Sequence, residues 1–202
     1  MRDLIHALKY DRLRPVAHQL GKVLAGAMLR LAAEAPREML VVPIPLHRMK
    51  HAERGFNQAR LLAAEALAVL RKQMPGWHLA LAPSTLIRLR ATDNQAGLTT
   101  RQRRLNVRGA FHVSDPSMVV ARHVLLIDDI LTTGATARAA SRALLQAGAE
   151  SVWVVTLARA RRVDHAFDRS FVASEAAETS TAFAAVAGHQ HATMNAQNQP
   201  SF

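Results

Sequence analysis

The chain has 202 residues, half of them hydrophobic and a fifth charged, which suits one globular domain of ordinary size with a tail. It contains no cysteine, which excludes a disulfide framework and a cysteine-based zinc site. The formal net charge of +11, from 26 basic and 15 acidic side chains, favours polyanionic or phosphorylated partners, and among the basic residues only Lys9, Lys22, Lys50 and Lys72 are not arginine.

In chain order, residues 3–10 and 15–33 read as helices, with Leu4, Ile5 and Leu8 at amphipathic spacing and Pro15 suited to a first helical turn. The first fifteen residues lack the apolar core of a secretory signal. The most apolar helical stretch, 16–33, is interrupted by His18, Lys22 and Arg30 and does not suit a membrane span. A cytoplasmic protein without membrane insertion is expected. EMLVVPIP (38–45) reads as a buried strand ending at Pro43, followed by a polar loop over 46–56 and a helix over 57–72 that Asn57 would cap. HLALA (78–82) and residues 84–89 are weaker strand candidates. Residues 90–108 carry little periodicity and many Arg, Thr, Asn and Gln, the pattern of a mobile lid.

GAFHV (109–113) reads as a short strand, 123–128 as a strong buried strand, 136–147 as a helix ending at Gly148, and 151–158 as another strand. Residues 123–158 therefore form one βαβ unit, which implies a parallel sheet and a right-handed crossover. From 163 onwards Ala, Ser, Thr, Gln, Asn and His dominate without sustained periodicity, so a mostly disordered tail is expected there. That tail carries −3, leaving +14 on residues 1–162. The domain expectation is a helical segment over 1–36, a core over 37–162 and the tail over 163–202.

VLLIDDILTTGAT (124–136) concentrates the chemistry. A strand ending in two acids is by itself as often a plain polar strand end as a functional one. A nucleoside-triphosphatase would need G-x-x-x-x-G-K-[ST], and the only Gly-Lys pair, Gly21-Lys22, lacks the upstream glycine and the following hydroxyl residue. A dinucleotide fold would need G-x-G-x-x-G, and no two glycines are two apart. The turn itself is more informative. Small residues Thr132, Thr133, Gly134, Ala135 and Thr136 open a helix whose first amides, with three Thr hydroxyls, would cradle a monophosphate. Asp128 and Asp129 beside it suit the vicinal hydroxyls of a sugar, directly or through hydrated magnesium. Phosphate at one end and diol at the other describe a ribose 5-phosphate.

Those thirteen residues resemble the phosphoribosyl pyrophosphate (PRPP) signature of type I phosphoribosyltransferases. ALKYDRLRPVAHQLGKVLA, VVPIPLHRMKHAERGFNQARLLAAEA and NQAGLTTRQRRLNVRGAFHV resemble the ComF family of that superfamily, over about 4–159. The resemblance implies an α/β fold with a central, mainly parallel sheet flanked by helices and a mobile hood loop. ComF proteins typically carry an N-terminal Cys-rich zinc ribbon; this chain starts where that ribbon would end.

The resemblance also implies roles. Asp128 and Asp129 would be catalytic and hold the ribose hydroxyls, and residues 132–136 would hold the 5-phosphate. Within RGFNQ, Arg54, Gly55 and Asn57 would serve the pyrophosphate, in a loop (47–57) carrying net +2 from Arg48, Lys50 and Arg54 against Glu53. The hood would be 90–108, at net +4, with Arg90, Gln95, Leu98, Arg103 and Asn106 on the family pattern. A solvated basic loop, or an Arg-rich nucleic-acid surface, is the plainer account of each; the hood segment has almost no aromatics for stacking bases. Lys9 and Tyr10 lie in the family's LKY motif, although a lone aromatic on an amphipathic helix is more often packing. Mg2+ would arrive with PRPP rather than on dedicated protein ligands. The implied activity is transfer of a phosphoribosyl group to an acceptor with release of pyrophosphate, the acceptor being a nitrogenous base the sequence does not identify. The alternative is a non-catalytic PRPP- or DNA-binding accessory protein of competence and DNA uptake, with single-stranded DNA or the competence machinery as partner. Dimers are common in related folds, so a homodimer is a further expectation.

Overall fold

The computed structural model describes residues 14–90, 102, 107, 109–159, 171–173 and 183–187. The expected helix over 3–10, with Lys9 and Tyr10, lies outside them. The described chain runs α1 (Arg14–Leu31), β1 (Glu38–Pro43), α2 (Arg48–Arg54), α3 (Gln58–Gln73), β2 (His78–Leu81), β3 (Leu86–Arg88) and β4 (Phe111–Val113). A 3-10 turn (Pro116–Met118) then leads to β5 (His123–Leu131), α4 (Ala135–Gln146), β6 (Ser151–Arg159), β7 (Phe171–Ala173) and β8 (Phe183–Ala187).

One six-stranded sheet has the order β2-β1-β5-β6-β8-β7, and β3 and β4 form a separate antiparallel ribbon. Strands β2, β1, β5 and β6 are mutually parallel, while β8 runs antiparallel to β6 and β7 antiparallel to β8. Parallel strands covered on both faces need apolar residues on both, which is why EMLVVP and HVLLI read as continuous hydrophobic runs. Met39, Val41, Leu125, Ile127, Trp153 and Val155 pack on one side with Leu20, Leu24 and Met28 of α1 and Leu62 and Leu67 of α3. Leu40, Val42, Val124, Leu126, Val152 and Val154 pack on the other with Ala137, Ala140 and Leu144 of α4 and Phe111 and Val113 of the ribbon. The alternate parities of each strand thus build two separate cores.

Two expectations change. The loop over 46–56 contains a helix, α2, because the His47 side chain accepts the Met49 N–H as its N-cap and Gly55, at φ 77, closes it. Strand β5 does not stop at Asp128 but continues through both acids to Leu131, since its ladder with β6 persists to Leu131↔Arg159. Within 163–202, where a mostly disordered tail is expected, the described residues form two short strands, β7 and β8, with β8 laddered on β6 from Val152↔Ala187 to Thr156↔Phe183. A five-residue strand such as FAAVA takes its order from the neighbouring strand rather than from any periodicity of its own.

Candidate functional site

The site begins at the C-terminal end of β5. Asp128 pairs in register with Thr156 of β6, and both acids are half-buried. The Asp129 N–H donates to Asp128 Oδ1 at 2.9 Å, and the Ile130 N–H donates to Asp129 Oδ1 at 2.8 Å. Each carboxylate therefore captures the amide of the residue after it, a local contact that competes with the ladder. The strand turns at this point. Ile130 packs against the α1/α3 core and Leu131 belongs to the opposite one, the reverse of the alternation that Leu126 and Ile127 establish. Two adjacent carboxylates are thereby held at the sheet end with one oxygen of each oriented by the backbone.

The turn follows directly. Thr132 is exposed, Thr133 and Thr136 are half-buried, and Gly134 and Ala135 are buried. Gly134 is the N-cap of α4 at φ 68, a left-handed conformation that a side chain would strain. The Ala135 N–H donates to Thr133 Oγ1 at 3.4 Å, and α4 has no side-chain N-cap hydrogen bond. An Arg138 guanidinium N–H donates to the Thr133 carbonyl, and Arg138 Nη1 lies 3.2 Å from where a Cβ on Gly134 would stand.

The loop after β1 meets this strand end from the side. Its Ile44 N–H donates to the Ile127 carbonyl at 2.8 Å. Asn57 caps α3 by accepting the Arg60 N–H at 3.1 Å, and its own amide donates to the Ile44 carbonyl at 2.9 Å. Arg54 stands in the last turn of α2 and Gly55 closes that helix. Arg54, Gly55 and Asn57 line a groove of about 1150 Å³ between α2, α3 and the ribbon, together with His47, Arg48, His51, Arg60 and Arg88 against Glu65. The structure thus brings the three RGFNQ residues into one basic groove. Asp128, Asp129 and residues 132–136 are not among the described residues of its wall.

Arg88 connects the two. It lies in β3, over the Phe111 ring at 5.4 Å from the centroid. Burial pushes its guanidinium pKa down, and the neighbouring Asp128 carboxylate opposes that shift. Sequence reading missed both Arg88 and Arg138. For Arg138 a signal existed, since it lies four residues after Gly134 on α4 and so one turn from the cap. For Arg88 none did, because its neighbours Phe111 and Asp128 are more than twenty residues away. Arg90 is exposed, with Nη2 3.2 Å from where a Cβ on Gly109 would stand. Gln95, Leu98, Arg103 and Asn106 lie outside the described residues, in the segment that joins β3 to β4.

In the sheet, β1 leads outward to β2 and β5 leads to β6 in the opposite direction, so the strand order reverses between β1 and β5. Open α/β sheets bind ligands in the crevice beyond the carboxyl ends of the strands at such a point. The acid pair and the Asn57 loop flank that crevice. Architecture and sequence signature define a type I phosphoribosyltransferase fold.

The phosphoribosyl transferase domain model matches residues 78–190, more than half of the chain. DNA utilization protein YhgH of Escherichia coli (strain K12) is 33% identical over 159 residues, covering 77% of this chain and 66% of that protein. Competence protein F of Haemophilus influenzae is 33% identical over 122 residues, 59% of this chain and 50% of that protein. Competence protein ComFC of Bacillus subtilis (strain 168) is 38% identical over 124 residues, 61% and 45% respectively. The chain belongs to the phosphoribosyl transferase domain family, among its ComF-type members. It spans under two thirds of the length of these relatives. No helix among the described residues is long and apolar enough to cross a membrane.

Proposed function

We propose that the protein binds PRPP with magnesium and transfers its phosphoribosyl group to a nitrogenous acceptor, releasing pyrophosphate. The observation that carries this reading is the continuity of β5, acid pair, Gly134 turn and α4 at the reversal point of the sheet. Asp128 and Asp129 hold the ribose hydroxyls, and their charge stabilises the positive ring as the bond to pyrophosphate breaks. Residues 132–136 hold the 5-phosphate. Arg54, Gly55 and Asn57 receive the pyrophosphate, with the 90–108 segment, including Arg90, Gln95, Arg103 and Asn106, as the closing hood. The oxygen-only donor set of the acid pair suits Mg2+, which would neutralise charge on the leaving pyrophosphate when bound. The chain's own residues contribute mainly by positioning and by a fixed electrostatic field.

Calorimetry with magnesium and PRPP, using Asp128→Asn and Asp129→Asn as controls, tests this reading. Binding by the wild type that either substitution weakens supports it, and no wild-type binding at millimolar PRPP sinks it. A screen for pyrophosphate release with candidate acceptors then identifies the second substrate.

A second reading rests on the relatives. Their names speak of DNA utilization and competence, and residues 1–162 of this chain carry +14. Under it the protein is an accessory factor of DNA uptake in the cytoplasm, with single-stranded DNA or the competence machinery as partner and PRPP as a regulatory ligand. DNA binding that falls with salt and survives loss of the acid pair favours this reading over catalysis. Sedimentation of the full chain tests the expected homodimer under either one.

A further inference from the structure

We infer that a cavity at the opposite end of the sheet from the acid pair is a binding site for a free apolar α-amino acid, held by its carboxylate on Arg71 and Arg122 and by its ammonium on Glu38. The cavity has a volume of about 480 Å³, within the range of small-molecule sites. It lies where the strands begin: Glu38 opens β1, Leu79 belongs to β2, Arg122 precedes β5 and Arg71 stands in the last turn of α3. None of its lining residues is among those assigned to PRPP.

The lining has two parts. Leu70 and Trp77 are buried members of the α1/α3 core and Leu79 packs against it, so one wall is apolar. The rim carries Glu38, Arg71 and Arg122, all exposed. Leu40 pairs in register with Val124, and the same offset two residues earlier sets Glu38 beside Arg122. Neighbouring strands lie roughly 4.8 Å apart, a spacing at which opposite charges ordinarily interact. Yet among the described residues none of these three side chains has a hydrogen bond or an ion pair. Opposite charges that face one cavity a strand spacing apart call for a ligand whose own opposite charges are equally close. An α-amino acid has that form, with carboxylate and ammonium on one carbon and an apolar side chain to cover Leu70, Trp77 and Leu79. The arginines supply planar donors to the carboxylate oxygens, and Glu38 accepts from the ammonium. A phosphate fits this rim less well, because Glu38 repels it.

Calorimetry of the full chain tests the site with L-leucine and L-phenylalanine as free amino acids. Three further probes dissect the ligand: N-acetyl-L-leucine lacks the ammonium, L-leucinamide lacks the carboxylate, and glycine lacks the apolar body. The free apolar amino acids are expected to bind, and each of the other three more weakly. Glu38→Gln should weaken L-leucine and L-leucinamide by about three- to tenfold, the scale of one hydrogen bond, without weakening N-acetyl-L-leucine. Arg71→Gln and Arg122→Gln should weaken L-leucine and N-acetyl-L-leucine by a similar factor without weakening L-leucinamide. Arg142→Gln, at an exposed position of α4 outside the cavity lining, removes the same charge elsewhere and should change nothing. The melting temperature of each variant confirms its fold. Absence of heat with both L-leucine and L-phenylalanine at millimolar concentration overturns the inference. Equal affinity for L-leucine and its capped forms overturns it too, as does an equal loss in Arg142→Gln, which would mark a general field effect.

Discussion

The side-chain amide of Asn57 donates to the Ile44 carbonyl at 2.9 Å, and the Ile44 N–H donates in turn to the carbonyl of Ile127, the residue before Asp128, at 2.8 Å. One asparagine therefore caps α3 and ties the loop after β1 to the strand bearing the acids. Asn57→Ala removes the cap and the tie together and is expected to lower stability by about 1–3 kcal/mol. In a chain of this size that corresponds to a melting temperature lower by about 2–4 °C per kcal/mol. Asn57→Asp keeps the cap acceptor but loses the donor to Ile44. It should melt closer to wild type yet bind PRPP more weakly; wild-type affinity in Asn57→Asp would show that the tie does not position the loop.

Gly21, dismissed at the sequence level as part of a phosphate-binding loop, marks a close approach between helices. A Cβ on Gly21 would stand 2.3 Å from Glu65 Cβ of α3, whereas one on Gly26, also in α1, would meet nothing within 4 Å. Gly21→Ala is expected to destabilise the fold by about 1–3 kcal/mol through overpacking. Gly26→Ala should leave stability unchanged or raise it by up to about 1 kcal/mol. Urea midpoints of the two variants settle the comparison, and equal midpoints would contradict the packing.

Arg88 places a cation beside Asp128, which favours the ionised carboxylate. Arg88→Gln should therefore raise the Asp128 pKa, the direction that removal of an opposite charge dictates. PRPP binding that needs the ionised carboxylate is present above that pKa and lost as pH falls through it. In Arg88→Gln the loss should begin at higher pH than in the wild type. Superimposable pH profiles would remove Arg88 from the electrostatics of the site.

Trp77 provides a control far from the acid pair. Its indole N–H donates to the Pro36 carbonyl at 2.8 Å, fastening the α3–β2 connection to the α1–β1 connection. Trp77→Phe keeps most of the apolar burial and loses the donor, for an expected loss of about 0.5–1.5 kcal/mol. PRPP affinity should not change. A large drop in affinity would mean that the site depends on this end of the sheet.

Much of the strand and helix content was legible because the parallel strands β1, β5 and β6 are buried on both faces over most of their length and so contain continuous apolar runs, whereas the edge strand β2 is only partly covered. The boundaries of β1, β5, α4 and β6 fall within three residues of those expected. The misses have local causes. A seven-residue helix such as α2, bounded by His47 and Gly55, is too short for periodicity to register. The apolar pair Ile130 and Leu131 after the acids gave no sign that β5 continues, since the ladder that extends it is supplied by β6.

The sequence by itself determined the chemistry of 124–136, because a strand, two acids, a turn and a helix are contiguous and local geometry follows from residue type. Tertiary structure alone decided what that segment faces. Strand order is set by how apolar faces are buried, not by nearness in the chain, and it puts the reversal of the sheet between β1 and β5. That order places Asn57, seventy-one residues before Asp128, two hydrogen bonds from the residue preceding the acid pair. It also sets Arg88 against Asp128 from a separate ribbon. Arg138 is the intermediate case: helical spacing put it near the turn, and only the folded side chain showed that it bends back over it.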